Sequence, residues 1–293
     1  MHLMSSLLLV MLLPLCAPPA EAKSASTPGR FVVEAPRVES AEWRDEAREM
    51  QDSGTLQTLA EALNEIFVLP RDIGLLYAEC GEANAYYDPE AHEILMCLEL
   101  MESMSETLEG QFESEDDTAD ALAGAYIAVV LHEAGHALVH VLEIPVTGRE
   151  EDAVDQLSAW MLIEADDSGS VLGAAASYYT EDDEAAADDD YADEHSLDKQ
   201  RYFNLVCWAY GSDPENSQYL IEDWELPEAR AERCADEYAQ LDRSWSRLLD
   251  AHLQDEHAAD APVADRPVPR LAPKTGSEPV TEKSGRYRPS KDH

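Results

Sequence analysis

Residues 132–136 read His132-Glu133-Ala134-Gly135-His136, two imidazoles four residues apart with a carboxylate beside the first. In a helix, four residues advance the axis by about 6 Å and about 40° of rotation, so both rings leave one face and can share a single zinc ion. Glu133 then lies about 100° round from His132, beside the metal and not on it. That is where a general base must stand to take a proton from metal-bound water. The setting argues against an accidental match. Residues 121–131 carry no charge, and two histidines with a glutamate are costly to bury in an apolar helix unless they act together.

An open zinc site needs a third protein ligand. A metzincin would place Gly three residues and His six residues beyond His136, where this chain has Val139 and Leu142. His140 extends the stripe by one more turn, too far along the axis to share the ion easily, and suits packing or a hydrogen bond behind the ligands. Carboxylates follow on a second helical stretch, expected over residues 149–165, at Glu150, Glu151, Asp152 and Asp155. Its inward side is defined by Val154, Leu157, Met161 and Ala165, and Asp152 points nearly opposite. Glu150 and Glu151 both flank the inward side, and Asp155 follows Glu151 by one turn. That pair could place Glu151 on the metal and Asp155 behind a ligand histidine, with Glu150 the alternative third ligand.

His132-Glu133-Ala134-Gly135-His136 followed by Glu151-Asp152-Ala153-Val154-Asp155 resembles the HExxH plus ExxxD pattern of gluzincin zinc peptidases. With Tyr86-Tyr87-Asp88-Pro89, residues 200–204 and residues 207–211, the chain over about residues 55–250 also looks like a family of exported bacterial metallopeptidases of unknown substrate. The resemblance implies a small gluzincin-like core with an active helix, a second helix bearing the zinc ligand Glu151, and an edge strand able to pair with an extended peptide substrate. Peptidase activity is likewise what the resemblance implies.

Water addition to a carbonyl creates an oxyanion, which needs a donor from outside the two zinc helices. His195 and Tyr202 are the candidates by type. His195 is preferred, because a run of acids before it would favour its cationic, donating form; its plain alternative is a surface histidine paired with Asp193 or Glu194. The rival function is a non-catalytic acidic binding protein with a structural metal site, or with Ca²⁺ on the acidic stretch 181–193. Glu133 argues against the first, since a closed structural site has no use for a base. The second lacks the Asp-x-Asp-x-Asp-Gly spacing.

The elements that must hold these groups give an α+β domain, predominantly helical with a small antiparallel sheet. Apolar residues at Leu56, Leu59, Leu63, Ile66 and Phe67 have helical spacing. Residues 73–78, 85–87 and 94–98 read as strands, the last two forming an antiparallel hairpin around Asp88-Pro89-Glu90-Ala91. Helix returns at 119–142, which reads as the buried central helix, at 149–165, at 197–210 and at 227–249. Residues 166–170 read as a break and 181–193 as a solvated acidic loop.

Residues 7–13 are an unbroken apolar run before Ala20-Glu21-Ala22, the pattern of a secretion signal over residues 1–22. Residues 23–43 read as a linker, 44–250 as the zinc domain, and 251–293 as a disordered Pro-rich tail. The chain is therefore expected to be exported, periplasmic or extracellular, with no integral span. Removing the signal takes Cys16 and leaves Cys80, Cys97, Cys207 and Cys234. In an exported chain these suggest disulfides, Cys80 with Cys97 and Cys207 with Cys234 as sequence neighbours. The 293 residues carry 62 acidic against 20 basic groups, net −42. So acidic a chain repels phosphate backbones and anionic lipid, which disfavours nucleic-acid and peripheral membrane partners. Its 45% hydrophobic content is ample for a core and excludes wholesale disorder.

Overall fold

The structure is a computed structural model describing residues 28–179 and 187–254. In chain order its elements are β1 (Phe31–Val33), α1 (Arg44–Ser53), α2 (Thr55–Ile66), β2 (Ile73–Ala78), β3 (Ala85–Asp88), β4 (Glu93–Cys97), α3 (Leu98–Leu108), α4 (Glu115–Val141), α5 (Glu150–Glu164), α6 (Ser168–Ser177), α7 (Asp188–Ala192), α8 (Asp198–Ser212), α9 (Tyr219–Glu222) and α10 (Glu228–Leu249). A 3-10 turn follows at Asp250–His252. The secretion signal, residues 23–27 and the tail from residue 255 lie outside the described residues.

Helix α4 is the axis of the domain. Ser114 caps it by accepting the Asp117 amide, and Glu115, Asp116 and Asp117 place negative charge against its positive end. It is long and apolar enough to cross a membrane by length and composition alone, yet 78% of its most apolar window is buried inside the protein. Helix α6 packs along it through small residues. A Cβ on Gly173 would meet the Ala121 carbonyl oxygen at 2.5 Å, so only glycine permits so close a crossing. Composition hid this helix: Ser168-Gly169-Ser170 looks like a breaker, but Asp167 caps the helix by accepting the Ser170 amide, so the break after α5 covers residues 165–167 and not 166–170.

The sheet is mixed, with order β1-β2-β4-β3, and this corrects the expected antiparallel arrangement. The hairpin is as expected, β3 and β4 pairing antiparallel with Tyr86 opposite Leu95. Asp88 Oδ1 fixes its turn by accepting the amides of Glu90 and Ala91. Strands β2 and β4, however, run parallel, as do β1 and β2. The chain leaving β2 passes beyond the position of β4 to lay β3 at the edge, and β4 then returns between them. Every residue of β2 is buried, as a central strand requires. Strand β1 lies inside the span read as a linker, which corrects that boundary. Asn64 holds it by accepting the Phe31 amide and donating to the Phe31 carbonyl, each at 2.8 Å. The domain also continues past residue 250, since the Gln254 amide donates to the Ile66 carbonyl. Within the expected acidic loop, residues 188–192 form α7.

Disulfides join Cys80 to Cys97 and Cys207 to Cys234. The first ties the exit of β2 to the end of β4. The second ties α8 to α10.

Candidate metal centre

Helix α4 presents His132 and His136 toward the first turns of α5, their ring centroids 5.0 Å apart. The helices approach closely because Gly135 faces Val154; a Cβ on Gly135 would lie 3.0 Å from the valine Cβ. Glu151 is thereby brought between the histidines. Its Oε2 is 3.1 Å from His132 Nε2 and 3.3 Å from His136 Nε2. One ligand atom from each of His132, His136 and Glu151 lies within 4.8 Å of the other two.

The two outward ring nitrogens are engaged elsewhere. His132 Nδ1 is 2.8 Å from Asp155 Oδ1, and His136 Nδ1 is 2.9 Å from Glu150 Oε1. Each Nε2 is therefore turned toward Glu151, a nitrogen, nitrogen and carboxylate donor set that fits a divalent zinc ion. Of the two glutamates left open by helical projection, Glu151 stands between the rings and Glu150 behind one of them. Asp152 accepts from the Ser196 hydroxyl, away from the histidines. His140 stands apart too, its Nδ1 2.9 Å from the Tyr87 hydroxyl.

Glu133 is buried beside this set. Burial pushes its carboxyl above the ordinary range, against the pull of His132 and His136. Glu151 shows the opposite balance: burial alone would raise it, but hydrogen bonds from His132, His136 and His195 hold it far below the ordinary carboxylate range. For His136, burial disfavours the cation, yet the bonds to Glu151 and Glu150 prevail and raise it to about 9.

His195 reaches the centre from the segment before α8. Its Nε2 is 3.1 Å from Glu151 Oε2 and its Nδ1 3.0 Å from Asp193 Oδ1. Asp193 also accepts its amide, and Arg149 donates to its carbonyl. The expected pairing with Asp193 and the approach to the site thus coexist. Tyr202 is a correction. Its ring is almost fully buried and its hydroxyl donates to the Trp224 carbonyl at 2.8 Å, so it is not poised to meet a substrate.

Two contributors stand in stretches that carried the resemblance but were given no role at the site. Tyr86, whose hydroxyl donates to Glu82 at 2.5 Å, lies within electrostatic reach of Glu133. Arg201 holds Asp155 with two hydrogen bonds. A signal for Arg201 was present: it shares a face of α8 with Leu205 and Trp208, four and seven residues on and both buried, where an arginine needs a buried partner.

The profile of a protein family described as "Putative metallopeptidase" matches residues 36–249. The chain belongs to that family. No curated protein and no solved structure matches it. Membership suggests a metal-dependent peptidase, and among the described residues His132, His136 and Glu151 form a possible site for its metal.

Proposed function

We propose that this metallopeptidase-family member is an exported, gluzincin-like zinc peptidase held together by His132, His136 and Glu151. The observation that carries the reading is the convergence of both Nε2 atoms on Glu151 Oε2, with the buried Glu133 carboxyl alongside. Zinc in this set would supply Lewis acidity toward the scissile carbonyl and acidify a water molecule. Glu133 takes the proton from the attacking water on a carboxylate oxygen and delivers it to the departing amine nitrogen. Its burial supports this, because a carboxyl raised above its ordinary range accepts a proton more readily. Asp155 keeps the His132 ring oriented through Nδ1. His195, whose cationic form is favoured by its bond to Glu151, turns its Nε2–H from Glu151 Oε2 to the oxyanion as that charge forms. The edge strand β3, which packs beside α4, offers an extended peptide the side that is unpaired among the described residues. The two disulfides agree with export to an oxidising compartment.

A structural site would close the fourth position with another protein ligand and would gain nothing from a buried glutamate next to it. Purified oxidised chain should carry one zinc and cleave an unstructured protein such as casein in a chelator-sensitive way. Glu133→Gln should retain zinc and lose about 10²–10⁴-fold in rate. Retained cleavage in that variant removes the general-base role, and zinc loss on Glu150→Ala but not on Glu151→Ala reassigns the third ligand.

A further inference from the structure

We propose that Arg201 is a positioning residue of this centre: acting through the Asp155 carboxylate, it holds the His132 ring with Nε2 turned toward Glu151 and His136, and the grip on the ion depends on it. The inference rests on the metal-site reading above.

Asp155 has two carboxylate oxygens, and Arg201 engages both. Its Nε donates to Oδ2 at 2.8 Å and its terminal NH2 donates to Oδ1 at 2.7 Å. His132 Nδ1 meets that same Oδ1 at 2.8 Å. A carboxylate bound by the imidazole alone could turn about its Cβ–Cγ bond. The planar guanidinium fork removes that freedom and fixes the direction in which Oδ1 points. The fork is itself held, with its central carbon 4.0 Å above the Tyr178 ring at the end of α6. Contacts from α5, α6 and α8 therefore converge on one imidazole of α4.

The electrostatics act in the same direction. His132, Asp155 and Arg201 are all buried, so the contacts are little screened. Arginine stays charged under all ordinary conditions. Beside it, Asp155 remains an acceptor, which keeps a proton on His132 Nδ1 and leaves Nε2 to face the ion. A buried ion pair contributes little net stability compared with apolar packing of the same volume. Holding one ring nitrogen in line gives this pair a role that stability alone does not.

The test uses the full chain with its disulfides formed, and zinc affinity measured by competition with a chromogenic chelator. Arg201→Lys, checked for folding by thermal melt, should bind zinc about 10–100-fold more weakly than wild type. Asp155→Asn combined with Arg201→Met removes both buried charges, guards against an unpaired one, and should show a loss of the same order. Because Arg201 acts through Asp155, Arg201→Lys should add no further loss in the Asp155→Asn background. In the metal-free protein the hydrogen-bonded His132 Nδ1 proton should appear downfield in the wild-type proton NMR spectrum and vanish in the Arg201 variants. Folded variants that bind zinc within about threefold of wild type, losses that multiply across the cycle, or an Nδ1 proton that survives in the variants would each overturn the proposal. Wild-type zinc binding that survives His132→Ala would instead break the metal-site reading, and the Nδ1 proton still decides whether Arg201 holds the ring.

Discussion

On the inner side of the centre, His132 leans on Asp155, whose side chain is 11% exposed and held by Arg201. On the outer side, His136 leans on Glu150, 49% exposed, and Glu151 is met by His195, 40% exposed. Both sides use the same contact, imidazole to carboxylate, but in different dielectric surroundings. The inner pair is weakly screened and anchored by three helices, so it can fix geometry. The outer contacts are better screened and contribute less stability. In the proposed function the inner side orients a metal ligand and the outer side faces the substrate.

The sharpest way to break this contrast is to truncate each acid. Asp155→Ala leaves Arg201 buried without its partner and should cost about 3–5 kcal/mol of stability, read from denaturant midpoints. Glu150→Ala should stay within about 0.5 kcal/mol of wild type. Equal losses would erase the distinction between the sides.

Next in size is His195→Ala. If His195 donates to the oxyanion, kcat should fall about 10²–10³-fold with zinc retained. A fall of only a few-fold would reduce it to a holder of Glu151 and move attention to Tyr86.

Reduction of Cys207–Cys234, which closes a 27-residue separation between the Arg201-bearing α8 and α10, should lower stability by about 3 kcal/mol. Chemical denaturation of the Cys207→Ala/Cys234→Ala variant, which keeps Cys80–Cys97, measures it against wild type. Loss of zinc affinity in the same variant would tie α8 to the inner arm.

The most gradual effect is a pH dependence. In the metal-free protein His136 is raised from an ordinary 6.5 to about 9, so its contribution to stability is complete below pH 6.5 and is lost as pH rises through about 9. Asp155 is depressed from 3.8 to about 2, bonds from His132 and Arg201 overcoming burial; its contribution is complete above pH 3.8 and is lost as pH falls through about 2. Zinc must displace the protons of His136 and of His132, which its bonds to Asp155 and Glu151 also raise against burial, so its affinity should climb by at least about tenfold per pH unit toward pH 9. Isothermal titration across that range checks the slope, and a flat profile would show that His136 is not a ligand.

The helices of the site were legible because periodicity and capping are local. Residues 119–142 and 149–165 anticipate α4 and α5 closely, and helical projection narrowed the carboxylates to Glu150 and Glu151. It could not choose between them, because both flank the inward face and the crossing of α4 with α5 decides which one enters. Helix α6 was hidden, since the small residues that let it lie against α4 are those that read as a break. The parallel pairing of β2 with β4 was equally out of reach: alternation describes a strand but not its neighbour. Arg201 lies 46 residues from Asp155, and no local spacing links them.

Gly135 touches no ion, yet it sets how near Glu151 can come to the two imidazoles. A methyl group there would force Val154 to give by a few tenths of an ångström. The gauge of the helix crossing therefore sets the spread of the three donor atoms, and that spread can be altered from positions 135 and 154 while His132, His136 and Glu151 are left in place.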